Sequence, residues 1–256
     1  MTTKLSFLLP NFSFPGKLTI LAAHNHQKAL TTMQEAAIPH PFIVIEGNIG
    51  AGKTTLSTML SQDFNRRLIL EEFADNPFLP FFYENAERYA FPVELFFMTE
   101  RHKQLQEELS QPQLFDKGII SDYIFIKTLL FARNTLKSEE FRLFQRLFNI
   151  LSTNFPKPDL LLYLHQPVEK LMDNIKKRGR DYEQQMDPNY LLRIQQAYFD
   201  YFRTVKDIPI VILDVQSIDF VQNPEHYQSI VQLLQQSFPT GMHQLQAEDL
   251  IPKKLS

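Results

Sequence analysis

Five short apolar runs punctuate the chain: 42–46 (FIVIE), 67–70 (RLIL), 118–121 (GIIS), 159–164 (DLLLYL) and 209–213 (PIVIL). They are continuous rather than alternating, the pattern of strands covered on both faces in a parallel sheet. Between them the spacing turns helical. Residues 52–63, 91–109, 122–136, 139–151, 168–178 and 224–237 carry apolar positions on one face, and Asp187 followed by Pro188 is an N-cap with proline at the first helical position. Strands alternating with helices predict an α/β fold in three layers, a five-stranded parallel sheet flanked by helices and linked by right-handed crossovers. No repeat, low-complexity tract or linker divides the chain, so a single domain is expected over 41–238.

Composition adds little to that picture. Of 256 residues, 44% are apolar and 21% charged, ordinary for a globular protein, and the net charge of −3 gives no drive toward nucleic acid or an anionic membrane. The absence of cysteine excludes disulfides, a thiolate zinc site and a cysteine nucleophile, and fits a cytoplasmic setting. No apolar run approaches the ~18 residues of a membrane span. Residues 1–40 read as an extension. "LSFLL" after Lys4 resembles a weak signal sequence, but Pro10 and Asn11 break it early, and the segment reads better as disordered or as following an upstream start with Met33 the working one. The tail 239–256 is left unassigned.

The residues after the first strand carry the chemistry. "GNIGAGKT", Gly47 to Thr54, matches G-x-x-x-x-G-K-[ST], with a strand before it and a helix after. Such a loop (Gly47, Asn48, Ile49, Gly50, Ala51, Gly52, with Lys53, Thr54 and Thr55) turns consecutive amides inward at a helix N-terminus and makes a nest for phosphate. Lys53 reaches the β- and γ-phosphates, and the Thr54 hydroxyl joins the shell of a magnesium ion. The loop holds a nucleoside triphosphate, which predicts a P-loop nucleoside triphosphate hydrolase-like fold.

Carboxylates follow the second strand at Glu71 and Glu72, on the edge where ligands bind in parallel sheets. "NIKKRGRDYE", 174–183, places Arg178 and Arg180 where cations can cover a transferring phosphoryl group, as an Arg-rich lid. With "GNIGAGKTT", "E-x4-NPFL-x2-FY", "YAFP-x-E-x6-R", "PDLLLYL" and "RGRDYE" in this order, the chain resembles the deoxynucleoside kinase family over about 42–220. The resemblance implies ATP as phosphate donor, magnesium, a small deoxynucleoside acceptor and a homodimer formed through the 91–109 and 122–151 helices. It makes Glu71 the general base for the 5′-hydroxyl, with Glu72 the competing candidate. Tyr83 and Glu183 bind the sugar 3′-hydroxyl, Arg101 lies beside the base and Glu71, and Phe131 stacks on the base. Core packing is the other reading of Tyr83 and Phe131. Arg178 and Arg180 close over the phosphates, and Asp219 and Phe220 hold the donor's adenine. Glu71, Lys53 and Arg178 are then the catalytic candidates.

The chain departs from the family at four places. Glu94 stands where a glutamine usually meets the base edge. A carboxylate only accepts, which suits the two adjacent donors of guanine, whereas adenine requires it protonated, tilted or neutralised. "SDY", 121–123, replaces the Asp/Glu-Arg-Ser motif, leaving Asp122 either on the magnesium side or as a helix N-cap. Lys127 replaces an acid near the base, disfavouring cytosine. Asn174 replaces a lid arginine. Together these predict a purine deoxynucleoside kinase in nucleotide salvage. The alternatives are a thymidylate-type nucleotide kinase, which needs more cations around its acceptor, and a nucleotide-dependent switch, which gives Glu71, Tyr83, Arg101 and Glu183 no purpose.

Overall fold

A computed structural model describes residues 37–71, 76–110, 117–152, 155–184 and 186–250; the expectations for residues 1–36, Glu72 and the last six residues lie outside them. The strands are β1 (Phe42–Gly47), β2 (Arg67–Ile69), β3 (Ile119–Ser121), β4 (Leu160–His165), β5 (Pro209–Asp214) and β6 (Gly241–Leu245). They form one parallel sheet in the order β2-β3-β1-β4-β5-β6. Among the described residues the sheet thus has six strands, not the five expected. The sixth lies beyond Phe238, in the segment left as a tail, and pairs with β5 alone. Its residues alternate between exposed and partly buried, so it has no continuous apolar run to betray it.

The helices are α1 (Lys53–Phe64), α2 (Leu79–Glu84), α3 (Ala86–Leu109), α4 (Lys127–Thr135), α5 (Ser138–Leu151), α6 (Val168–Arg178), α7 (Pro188–Thr204), α8 (Pro224–Leu234) and α9 (Ala247–Leu250). Asp187 caps α7 as expected, its carboxylate accepting from the Asn189 amide at 2.9 Å. Helix α3 begins five residues before the expected 91, because Asn85 accepts from the Arg88 amide and fixes the start there, carrying Pro92 inside the helix. Helix α4 begins at Lys127 rather than near 122 and has no side-chain cap.

The central strands are buried on both faces; Ile43, Val44 and Ile45 of β1 and Leu160, Leu161 and Leu162 of β4 have no exposed surface. On one side Val44, Leu161, Tyr163, Ile210 and Ile212 pack against Ile194, Tyr198 and Phe202 of α7 and Leu130 of α4. A second cluster joins Met98 and Leu105 of α3 to Ala132, Phe144 and Phe148 of α4 and α5. Burying each such side chain contributes about 1.5–3 kcal/mol. These two clusters fix α3, α4 and α7 around the carboxyl ends of β1, β2 and β3. Among the described residues no helix is long and apolar enough to cross a membrane.

Candidate active site

The loop from β1 into α1 is held from several sides. Asn48 donates its amide to the Leu191 carbonyl on α7 at 2.8 Å and accepts from the Ile49 amide at 2.9 Å. Gly50 and Gly52 sit at φ 84° and 91°, the left-handed region that favours glycine. A Cβ on Gly50 would lie 2.9 Å from the Leu171 carbonyl of α6, and one on Gly52 would lie 3.1 Å from the Phe220 ring. The Lys53 ammonium donates to the Asn48 carbonyl at 3.0 Å. Burial, reinforced by the nearby Lys127 ammonium, pulls its pKa down to about 8.

Two cavities meet at this loop. One is lined by Gly50 to Thr55, Lys170, Asn174 and the 216–221 loop; the other by Glu71, Tyr83, Glu94, Arg101, Phe131 and Glu183. Lys53, Thr54, Arg178 and Arg180 line both. In the first, Phe220 is buried against Gly52, while the Asp219 carboxylate accepts from the amides of Val221 (3.1 Å) and Gln222 (2.9 Å) and so shapes its own turn. Asn174 donates to the Gly50 carbonyl at 2.9 Å and braces the loop.

Glu71 lies at the seam. Its Oε1 accepts from Nε (2.9 Å) and Nη2 (2.6 Å) of Arg101, and its Oε2 accepts from the Lys127 ammonium. Burial alone raises a carboxyl's pKa, but Lys127 and then Arg101 outweigh it here and hold Glu71 well below the usual carboxylate range. Its amide donates to Asp122 Oδ1 at 2.7 Å, and the other oxygen of Asp122 accepts from the Thr54 hydroxyl at 2.6 Å. Asp122 therefore sits beside the phosphate loop and does not cap α4. A hydroxyl and a carboxylate side by side fit a magnesium ion that keeps most of its waters. Beneath the loop the buried Glu46 accepts from the Tyr198 hydroxyl (2.9 Å) and the Ile124 amide (3.0 Å), and burial raises its pKa.

The outer wall of the second cavity is aromatic and acidic. Tyr83 stacks on Tyr182 with ring centres 5.7 Å apart and lines the cavity, while also packing against the buried Phe82, Ala90 and Val93. Phe131 meets Tyr190 edge-on at 6.5 Å and also lines the cavity. Glu183 accepts from both lid arginines, Arg178 and Arg180, so the groups expected separately at the sugar and at the phosphates are joined. Glu94 is buried; its Oε1 accepts from the Thr135 hydroxyl at 2.8 Å, and burial raises its pKa to about 7. Sequence reasoning missed the Lys127–Glu71 pair and the roles of Tyr182, Tyr190 and Glu46. The four-residue spacing of Lys127 and Phe131 placed both on one face of α4 but gave no sign that Lys127 reaches Glu71.

A family model described as deoxynucleoside kinase matches residues 43–238. The chain belongs to the deoxynucleoside kinase family. It is 36% identical to the deoxyguanosine kinase of Bacillus subtilis (strain 168) over 199 residues, covering 74% of this chain and 94% of that one. It is 31% identical to the deoxyadenosine kinase of Dictyostelium discoideum over 182 residues, covering 70% and 74%. Among solved structures, the deoxyadenosine kinase of M. mycoides with bound dATP superposes with a TM-score of 0.66 at 23% identity, covering 76% of this chain and all of that one, which shows the shared fold. As a deoxynucleoside kinase the protein is a phosphotransferase, taking a phosphoryl group from a nucleotide donor.

Proposed function

We propose that the enzyme phosphorylates the 5′-hydroxyl of purine 2′-deoxynucleosides, deoxyguanosine and deoxyadenosine, with magnesium ATP as donor. The observation that carries this reading is Glu71, gripped on one oxygen by Arg101 and on the other by Lys127 where the two cavities meet. The carboxylate is poised to accept the 5′-hydroxyl and aim it at the γ-phosphorus. Its low basicity is no obstacle, because the transition state of phosphoryl transfer is loose and positioning does most of the work. The loop amides and Lys53 hold the phosphates, and Arg178 and Arg180 meet the charge that develops on the moving group. Thr54 and Asp122 would hold the magnesium ion, which neutralises charge on the phosphate oxygens when bound.

Tyr83 and Glu183 take the 3′-hydroxyl. Because Glu183 also binds the lid arginines, a correctly seated sugar draws the lid over the phosphates. Phe131 stacks on the base, Glu94 meets its edge, and Asp219 and Phe220 flank the donor's adenine. A purine preference is further supported by the relatives named deoxyguanosine and deoxyadenosine kinases. A nucleoside monophosphate acceptor is disfavoured, because Arg101 and Lys127, the cations beside the acceptor position, are both bound to Glu71. Exposed Leu143 and Ile150 of α5 support a homodimer through that helix. The test is a panel of four deoxynucleosides and their monophosphates with γ-labelled ATP. Label entering the 5′ position of deoxyguanosine and deoxyadenosine is expected, and labelling of the monophosphates alone would replace this reading with the nucleotide kinase.

A further inference from the structure

We propose that Glu94 serves both purines by changing its proton count: as a carboxylate it binds the edge of guanine, and as a neutral acid it binds the edge of adenine. This rests on the purine reading above. One oxygen of Glu94 accepts from Thr135, and its second oxygen has no hydrogen-bond partner among the described residues while the side chain lines the acceptor cavity. Guanine presents a ring N–H and an amino group side by side, two donors that need two acceptors, and only the carboxylate supplies them. Adenine presents an amino donor beside an acceptor nitrogen, and only the protonated acid offers one donor and one acceptor in that order.

The surroundings keep both forms within reach. Glu94 is 3% exposed, which disfavours its charge. Arg101, two turns along α3, and the Thr135 hydroxyl on α4 favour the charge, while Glu71 beyond β2 opposes it. Tyr83 from α2 and Tyr190 from α7 complete the wall, and burial keeps both phenols neutral. The result is a carboxyl poised at about 7. Lys127 on α4 is committed to Glu71. Lys53, at about 8, grips donor phosphates and affects both acceptors alike.

The ratio of kcat/KM for deoxyguanosine to that for deoxyadenosine therefore cancels every shared ionisation and isolates Glu94. Measured from about pH 6 to about pH 8, it is expected to rise about tenfold per unit, the slope of one proton. In Glu94→Gln the ratio should be flat with pH and shifted toward deoxyadenosine, since an amide donates and accepts. Thr135→Val, which removes the hydroxyl that favours the charged form, should shift the wild-type ratio about fivefold toward deoxyadenosine at neutral pH. It carries the test if the glutamine variant does not fold. Calorimetric titration at neutral pH in buffers of different ionisation enthalpy should show proton uptake with deoxyadenosine and release with deoxyguanosine. A flat wild-type ratio, or a slope that survives in Glu94→Gln, overturns this inference while leaving the kinase intact. Failure to phosphorylate either purine overturns the functional reading and this one with it.

Discussion

Replacing Lys127 with methionine tests how the Glu71 carboxylate, proposed to be catalytic, is held. Lys127 is buried, and its ammonium bonds Glu71 Oε2 while lying 5.6 Å from the Phe131 ring centre. Methionine keeps most of the side-chain volume and removes the charge. Two unit charges in contact near a protein surface attract by about 4 kcal/mol at an effective dielectric constant of 20. Arg101 stays on Oε1, so Glu71 remains ionised but loses one of its two anchors. Loss of an anchor frees the carboxylate to rotate away from the hydroxyl, and a misplacement of about 1 Å costs up to about 10²-fold in rate. We expect kcat to fall about 10- to 100-fold with the KM for ATP little changed, and Lys127→Arg to recover part of the loss. Steady-state ADP release with a saturating purine deoxynucleoside reads the effect, and circular dichroism confirms the fold. A methionine variant within twofold of wild type would refute the anchoring argument.

Two further outcomes follow from the same geometry. Asp122→Asn removes the charge beside Thr54 and should raise the magnesium concentration for half-maximal rate about 10- to 100-fold, the usual effect of disturbing a metal site; an unchanged magnesium titration contradicts the assignment. Glu94 has a folded-state pKa raised from 4.5 to about 7, so the stability it confers is present below about 4.5 and is lost as pH rises through about 7. Relative to Glu94→Gln, the wild type should therefore lose on the order of 3 kcal/mol between about pH 5 and pH 8, at about 1.4 kcal/mol per pKa unit, and parallel denaturation midpoints across that range would contradict it.

The fold was legible where burial is uniform and obscure where it is not. β1, β4 and β5 announce themselves because both their faces are covered, whereas β6 lies at the sheet edge and its GMHQL sequence shares its surface with solvent. Helix α2, six residues long and without a side-chain cap, gives too short a pattern to register. The phosphate loop was readable because its chemistry is local and contiguous. The Glu71–Lys127 pair joins residues 56 positions apart, on the end of β2 and the first turn of α4, and only the folded sheet brings them together. Asp122 could be read as a metal-side acid or a helix cap from sequence; the start of α4 five residues later removes only the cap.

The central claim is that Glu71 positions the acceptor hydroxyl for attack. Glu71→Gln keeps the shape, still accepts from Arg101 and turns an amide toward Lys127. Single-turnover transfer from γ-labelled ATP to deoxyguanosine should slow by about 10²–10⁴-fold, with ATP binding retained. A rate within a few fold of wild type would contradict the account.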